Sequence, residues 1–185
     1  MPNGVEDIFF NHPAAKRGSW VVCVATITEV KRVVHLAEAA IRAKTPVWFI
    51  GKPYSESDAY AQQFRALANS QREIIRYDGA IPDREKLAQA YREARGFVLL
   101  SAWESLSLSA LEASASECPL LLSDLPWARS VFGDKASYCP LSASPSQTAA
   151  VLRKFYDSAP QLPNPPRPPT WSSVAAQLKD LYTRL

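Results

Sequence analysis

Several things are scarce in this chain, and each scarcity removes a class of function. There are 6 glycines in 185 residues. None forms the glycine fingerprint that lets a strand-to-helix turn approach a dinucleotide; Ala25-Thr26-Ile27-Thr28 stands after the first strand instead, which argues against an NAD enzyme. The three cysteines, Cys23, Cys118 and Cys139, show no CxxC spacing. An odd count also argues against a disulfide framework, so a reducing cytoplasm is the natural reading. His12 and His35 are the two histidines, and neither has an acid or nucleophile beside it in sequence. No cluster of His, Cys or Asp has metal-ligand spacing, and the serines between 105 and 116 lie in no Gly-x-Ser-x-Gly elbow. No apolar run approaches the roughly 20 residues that a membrane span needs, and no signal peptide is visible. The charge balance of 21 basic to 18 acidic residues is too weak for a nucleic-acid reader. It is compatible with an anionic nucleotide or an anionic membrane surface.

What is present is an alternation of strands and helices. Residues 20–25 are apolar and rich in β-branched side chains, as in a strand covered on both faces. A helical pattern follows, with Val34, Ala37, Ala40 and Ile41 on one side. Residues 46–50 form a second strand, ended by Gly51. Residues 55–69 form a helix, with Ser55 and Asp58 spaced as a capping box. Strands are expected at 73–77, 96–100, 119–123 and 136–139. Asp83 caps a helix running through Leu87, Ala90, Tyr91 and Ala94. Later helices cover 146–155 and 171–185. The expected fold is therefore α/β, a Rossmann-like, doubly wound, mostly parallel sheet of about six strands with helices on both faces. Residues 1–161 make the main domain. Residues 162–169 are proline-rich, an extended linker rather than helix or central strand, and residues 170–185 are a C-terminal helix.

Two acids stand out. Glu104 follows the fourth strand, and Glu112, eight residues on, falls about two turns into a helix expected from Ser105. Ligands of open α/β sheets bind at the carboxyl ends of strands, where helix N-termini attract phosphate. Acids beside a phosphate site suit a ligand that joins sugar hydroxyls to a diphosphate. Lys31 and Arg32 follow the first strand as phosphate donors. The backbone amides of Ser105, Leu106 and Ser107 would add a helix dipole. Taken singly, Ser101 with Glu104 and Ser109 with Glu112 also have capping-box spacing, a purely structural role.

The E-x7-E arrangement of Glu104 and Glu112, followed by Pro119-Leu120-Leu121-Leu122-Ser123-Asp124, resembles the C-terminal domain of group 1, retaining GT-B glycosyltransferases. The likeness runs along the chain. Pro2-Asn3-Gly4-Val5 with Phe9 is similar to the segment entering that domain, and residues 24–31 to its first strand and phosphate loop. Phe49-Ile50-Gly51, residues 77–81, and Asp124-Leu125-Pro126 with Phe132-Gly133-Asp134 fall at the expected intervals.

The resemblance implies one half of a GT-B fold, truncated at the hinge and lacking its N-terminal acceptor domain. It implies a donor-binding role without a metal or other cofactor, the donor being a nucleoside diphosphate sugar. By resemblance Glu104 faces the donor sugar and Glu112 the ribose hydroxyls, while Thr26 and Lys31 lie in the phosphate loop. Gly51, Lys52, Ala80 and Ile81 would border the base. The whole enzyme would be a hexosyltransferase acting on a glycan or lipid-linked acceptor, with peripheral contact at the cytoplasmic membrane face open to it.

This sequence departs from the family pattern at several points. Thr26 or Val30 stands where many members carry arginine, Ser105 and Ser107 replace glycines, and Ser130 replaces a glutamate. Glu117 replaces a glycine at a helix end, which predicts either a strained left-handed residue there or a different ending. Two rivals follow: a degenerate interaction module that keeps the fold without the donor site, and an epimerase, which would need a proton-shuttling pair. Trp103 and Trp127 are expected to pack rather than stack on a ligand, and His35 to lie exposed near Glu38.

Overall fold

The computed structural model describes residues 3–10 and 16–183. His12 and Pro2 lie outside the described residues. Six strands form one wholly parallel sheet: β1 Val21–Val24, β2 Val47–Ile50, β3 Ile75–Tyr77, β4 Gly96–Leu99, β5 Leu120–Ser123 and β6 Ser137–Cys139. Their order is β3-β2-β1-β4-β5-β6. The connections reverse direction between β1 and β4, which makes that junction the switch point of a doubly wound sheet.

Side-chain alternation explains the two faces. Val21 and Cys23 point into one core, together with Val98 and Leu121. It is closed by α1 (Val33–Ala43), α2 (Ala59–Ser70) and α6 (Pro145–Ser158). Val22, Phe97, Leu99, Leu120 and Leu122 point into the other. There α3 (Arg84–Glu93), α4 (Leu108–Ala115), α5 (Pro126–Phe132) and the 3-10 turn Asp7–Phe9 cover the sheet. Strands buried on both sides must be apolar throughout, as these are.

Local chemistry sets the helix ends, and in places it moves them from where the sequence alone suggests. Asp58, not Ser55, caps α2, accepting from the Tyr60 and Ala61 N–H groups. Asp83 caps α3 as expected. Helix α5 is an addition to the expected elements; Pro126 opens it and Gly133 follows it, an asymmetry that marks helix ends. The 162–169 stretch has no helix or strand. It leads to α7 (Trp171–Thr183), whose one buried residue is Val174. This end is tied to the chain's start by a bridge between Val5 and Thr170.

Glu117 adopts φ 55°, and the backbone around it shows why. The Cys118 N–H donates to the Ala113 carbonyl at 2.9 Å and the Glu117 N–H to Ser114 at 3.0 Å, a Schellman ending of α4. A left-handed residue is required there, and glutamate carries the steric cost. Glu117→Gly should therefore raise stability by about 0.5–1 kcal/mol after allowing for the looser unfolded chain. Urea denaturation checks this, and an unchanged or lower midpoint would refute the strain.

His35 is not on an exposed face. It is half-buried between α1 and α6, with Nε2 at 3.0 Å from the Thr148 hydroxyl. Burial, assisted by Arg32, holds its pKa below the usual 6.5. The folded state thus binds fewer protons than the unfolded chain, so this contribution to stability is complete above pH 6.5 and declines as pH falls below it. His35→Gln should flatten the stability profile between about pH 5 and 7, measured by thermal melts; an unchanged slope would contradict the assignment.

Candidate functional site

The carboxyl ends of β1, β2 and β3 are stitched together by backbone hydrogen bonds. The Ala25 N–H donates to Ile50 at 3.0 Å, Ile27 to Lys52 at 3.2 Å, and Gly51 to Gly79 at 2.9 Å. Gly51 makes this possible. Its φ is 151°, and a Cβ there would lie 1.8 Å from the Ala25 carbonyl oxygen. Above this floor opens a groove of about 520 Å³, within the range of small-ligand sites.

The groove brings together residues from four strand ends. Thr26 and Lys31 come from the β1–α1 loop, and Gly51 and Lys52 follow β2. Ala80 and Ile81 lie between β3 and α3, while Glu104, Leu106 and Ser107 lie between β4 and α4. Arg32, Ser105 and Glu112, also expected here, do not line it.

Lys31 and Glu104 meet across the groove as an ion pair. The Lys31 N–H is anchored on the Thr28 carbonyl at 3.1 Å, and the Ala102 N–H donates to Val30 at 2.8 Å, locking the two loops together. Ser101, itself buried, donates its hydroxyl to Glu104 at 3.0 Å. The side chain of Glu104 is only 10% exposed and that of Lys31 25%, so water screens this pair far less than a surface bridge.

The helix start lies later than the sequence suggested. Ser107 is the N-cap of α4 and accepts from the Ala110 N–H at 3.3 Å. Ser105 is an exposed loop residue, and Glu112 stands little more than one turn into α4 rather than two. The capping boxes at Ser109–Glu112 and Ser101–Glu104 do not form, because neither serine starts a helix. Leu108 and Ser109, the first two residues of α4, both line the groove.

Glu112 is engaged elsewhere. Its Oε1 accepts from Arg84 Nη2 at 2.7 Å and its Oε2 from the Tyr91 hydroxyl at 3.1 Å. Tyr91 is fully buried, and burial with the Glu112 carboxylate beside it pushes its phenol well above the usual value. Arg32, in the left-handed conformation just before α1, reaches the Leu141 carbonyl at 3.4 Å instead of the groove. Trp103 is 70% exposed and packs on little, contrary to expectation, whereas Trp127 is half-buried edge-on to Phe132.

Sequence reasoning missed Tyr54, Leu87, Leu108 and Ser109 as groove residues. The signal for the last two was Ser107 as the true cap. Cys23 lies in β1 below the groove, its thiol raised to about 12 by burial, so it is a core residue and not a nucleophile. Among the described residues, no three His, Cys, Asp or Glu gather as a metal site. A second cavity of about 570 Å³ lies along β3, lined by Arg65, Arg72 and Arg76. β3 ends the sheet, and cationic side chains commonly guard such edges against stray pairing.

The model of the family described as glycosyl transferases group 1 matches residues 4–164. The chain belongs to the group 1 glycosyltransferases. Its fold matches the C-terminal domain of a group 1 family glycosyltransferase (LpcC) from Francisella tularensis. That match has a TM-score of 0.69 and 20% identity, over 83% of this chain and 88% of that one. The pneumococcal O-GlcNAc transferase GtfA aligns with a TM-score of 0.65 and 20% identity, over 84% of this chain but 32% of GtfA. AviGT4, a glycosyltransferase involved in avilamycin A biosynthesis, aligns at 12% identity and a TM-score of 0.67, over 100% of this chain and 57% of its own. No curated protein matches the sequence. This glycosyltransferase domain thus has the Rossmann-like α/β fold of that C-terminal domain, and it spans about a third of GtfA. Among the described residues, no helix is long and apolar enough to cross a membrane.

Proposed function

We propose that this domain binds the nucleoside diphosphate sugar donor of a retaining, metal-independent glycosyltransferase, and that turnover requires an N-terminal acceptor domain. The observation that carries the reading is the meeting of Lys31, Glu104 and the first turn of α4 in one groove at the sheet's switch point.

The chemistry follows from charge. As the sugar leaves its diphosphate, negative charge grows on the distal phosphate and positive charge on the anomeric carbon. Lys31 Nζ and the free amides at Leu108 and Ser109 are donors fixed in advance for that phosphate. Glu104, an acceptor only, suits sugar hydroxyls and opposes the positive ring. Its pairing with Lys31 keeps both groups placed before a ligand arrives. Gly51, Lys52, Ala80 and Ile81 leave an open shelf for the base. Glu112 shares a helical face with Leu108 and Ser109, one turn on, within reach of ribose beside the groove. The GtfA structure contains UDP and GlcNAc, which fits a uridine donor. The acceptor is a glycan or a lipid-linked saccharide. Free buried thiols suit a reducing cytoplasm, and the net charge of +3 permits contact with an anionic membrane face.

The hold of Arg84 and Tyr91 on both Glu112 oxygens, with threonine and valine at positions 26 and 30, favours a second reading: an interaction module without donor binding. Calorimetric titration with UDP, GDP and their sugars separates the two. Saturable binding of a nucleoside diphosphate that is lost in Lys31→Ala supports the first. Absence of binding to all of them supports the second.

A further inference from the structure

Glu6 and Glu112 draw on a single guanidinium. The geometry points to Arg84 as a positioning residue whose division between these two acids sets how freely Glu112 engages the ribose of a bound nucleotide. This rests on the donor-binding reading above.

Arg84 opens α3, and Leu87, one turn on, forms part of the groove wall. On α4, Ser109 lines the groove and Glu112 follows one turn later. The Glu112 carboxylate therefore stands just behind that wall. Arg84 Nη2 donates to Glu112 Oε1 at 2.7 Å and also to Glu6 Oε1 at 2.7 Å. Its Nε is buried and has no partner among the described residues. A guanidinium and a carboxylate satisfy each other best through two parallel bonds, and here neither acid has them. Sharing one nitrogen is a compromise that the loss of either acid would resolve in favour of the other.

Exchange between these states needs little unpacking. The Glu6 and Arg84 side chains are 49% and 39% exposed, against 12% for Glu112. The Phe9 ring, 4.7 Å from the guanidinium carbon, supports the cation in either state. Glu6 directly precedes the Asp7–Phe9 turn, beside the Val5–Thr170 bridge. Movement of that entering segment would withdraw Glu6 and leave Arg84 clamped on Glu112.

The test compares UDP, 2′-deoxy-UDP and pyrophosphate by calorimetry on the wild type, Glu6→Gln, Arg84→Lys and the double variant, each confirmed folded by circular dichroism. Lysine cannot form the two-bond clamp. The wild type should prefer UDP to 2′-deoxy-UDP. Glu6→Gln should weaken UDP about fivefold and shrink that preference, leaving pyrophosphate unchanged. In the Arg84→Lys background, Glu6→Gln should have no effect. Three results overturn the coupling alone: equal weakening of all three ligands by Glu6→Gln, no weakening at all, or an effect of the same size in the Arg84→Lys background. A wild type that binds UDP and 2′-deoxy-UDP equally removes Glu112 from ribose recognition and this inference with it. A wild type that binds none of the ligands overturns the donor-binding reading as well.

Discussion

Gly51→Ala is expected to destabilise the domain by about 3 kcal/mol or more and to abolish nucleotide binding. The added Cβ would lie 1.8 Å from the Ala25 carbonyl oxygen, at a φ of 151°. Neither partner can yield cheaply, because both are backbone at the carboxyl ends of adjacent parallel strands. Relief means separating the β1 and β2 ends and losing the Ala25-to-Ile50 and Ile27-to-Lys52 hydrogen bonds that form the groove floor. Gly79→Ala is the control: φ is 77°, yet nothing lies within 4 Å of its Cβ. Only the conformational cost remains there, about 1 kcal/mol. Equal losses in the two variants, measured by urea denaturation, would show that close approach at Gly51 does not hold the groove together.

Lys31→Met should lower nucleotide affinity at least tenfold and cost about 1–3 kcal/mol of stability. The stability loss arises because Glu104, 10% exposed, would keep only the Ser101 hydroxyl as a partner among the described residues. Adding Glu104→Gln removes the stranded charge, so the double variant should recover most of the stability and none of the binding. That split separates the two roles of the pair. Recovery of binding in the double variant would mean that Lys31 acts only by neutralising Glu104, not by meeting phosphate.

Much of the fold was legible because it rests on short-range patterns. The apolar strands and the Asp83 cap depend on residues close in sequence, so they read directly. Helix α5 was hidden because seven residues carry too little periodicity, although Pro126 and Gly133 bracket it. The α4 start was misplaced by two or three residues because Ser101, Ser105, Ser107 and Ser109 offer competing caps. Only packing of Ala110 and Leu111 against the sheet selects Ser107.

In the site, the convergence of Lys31 and Glu104 follows from topology. β1 and β4 are neighbours in the sheet, so the loops that leave their ends must meet. The partners of Glu112 could not be read in this way. Arg84 and Tyr91 lie 28 and 21 residues away, on another helix, and no local pattern marks them. Arg32, although next to Lys31, sits in left-handed backbone before α1, and its guanidinium reaches the Leu141 carbonyl, which no local pattern marks.

On the proposed reading, a single groove at the switch point receives a nucleoside diphosphate. Amide NMR on the isotopically labelled domain, titrated with UDP and with GDP, tests it most directly. Saturable shifts are expected at Thr26, Lys31, Gly51, Glu104 and Ser107 to Ser109. Silence with both nucleotides, or shifts confined to Arg65, Arg72 and Arg76 along the β3 edge, would contradict it.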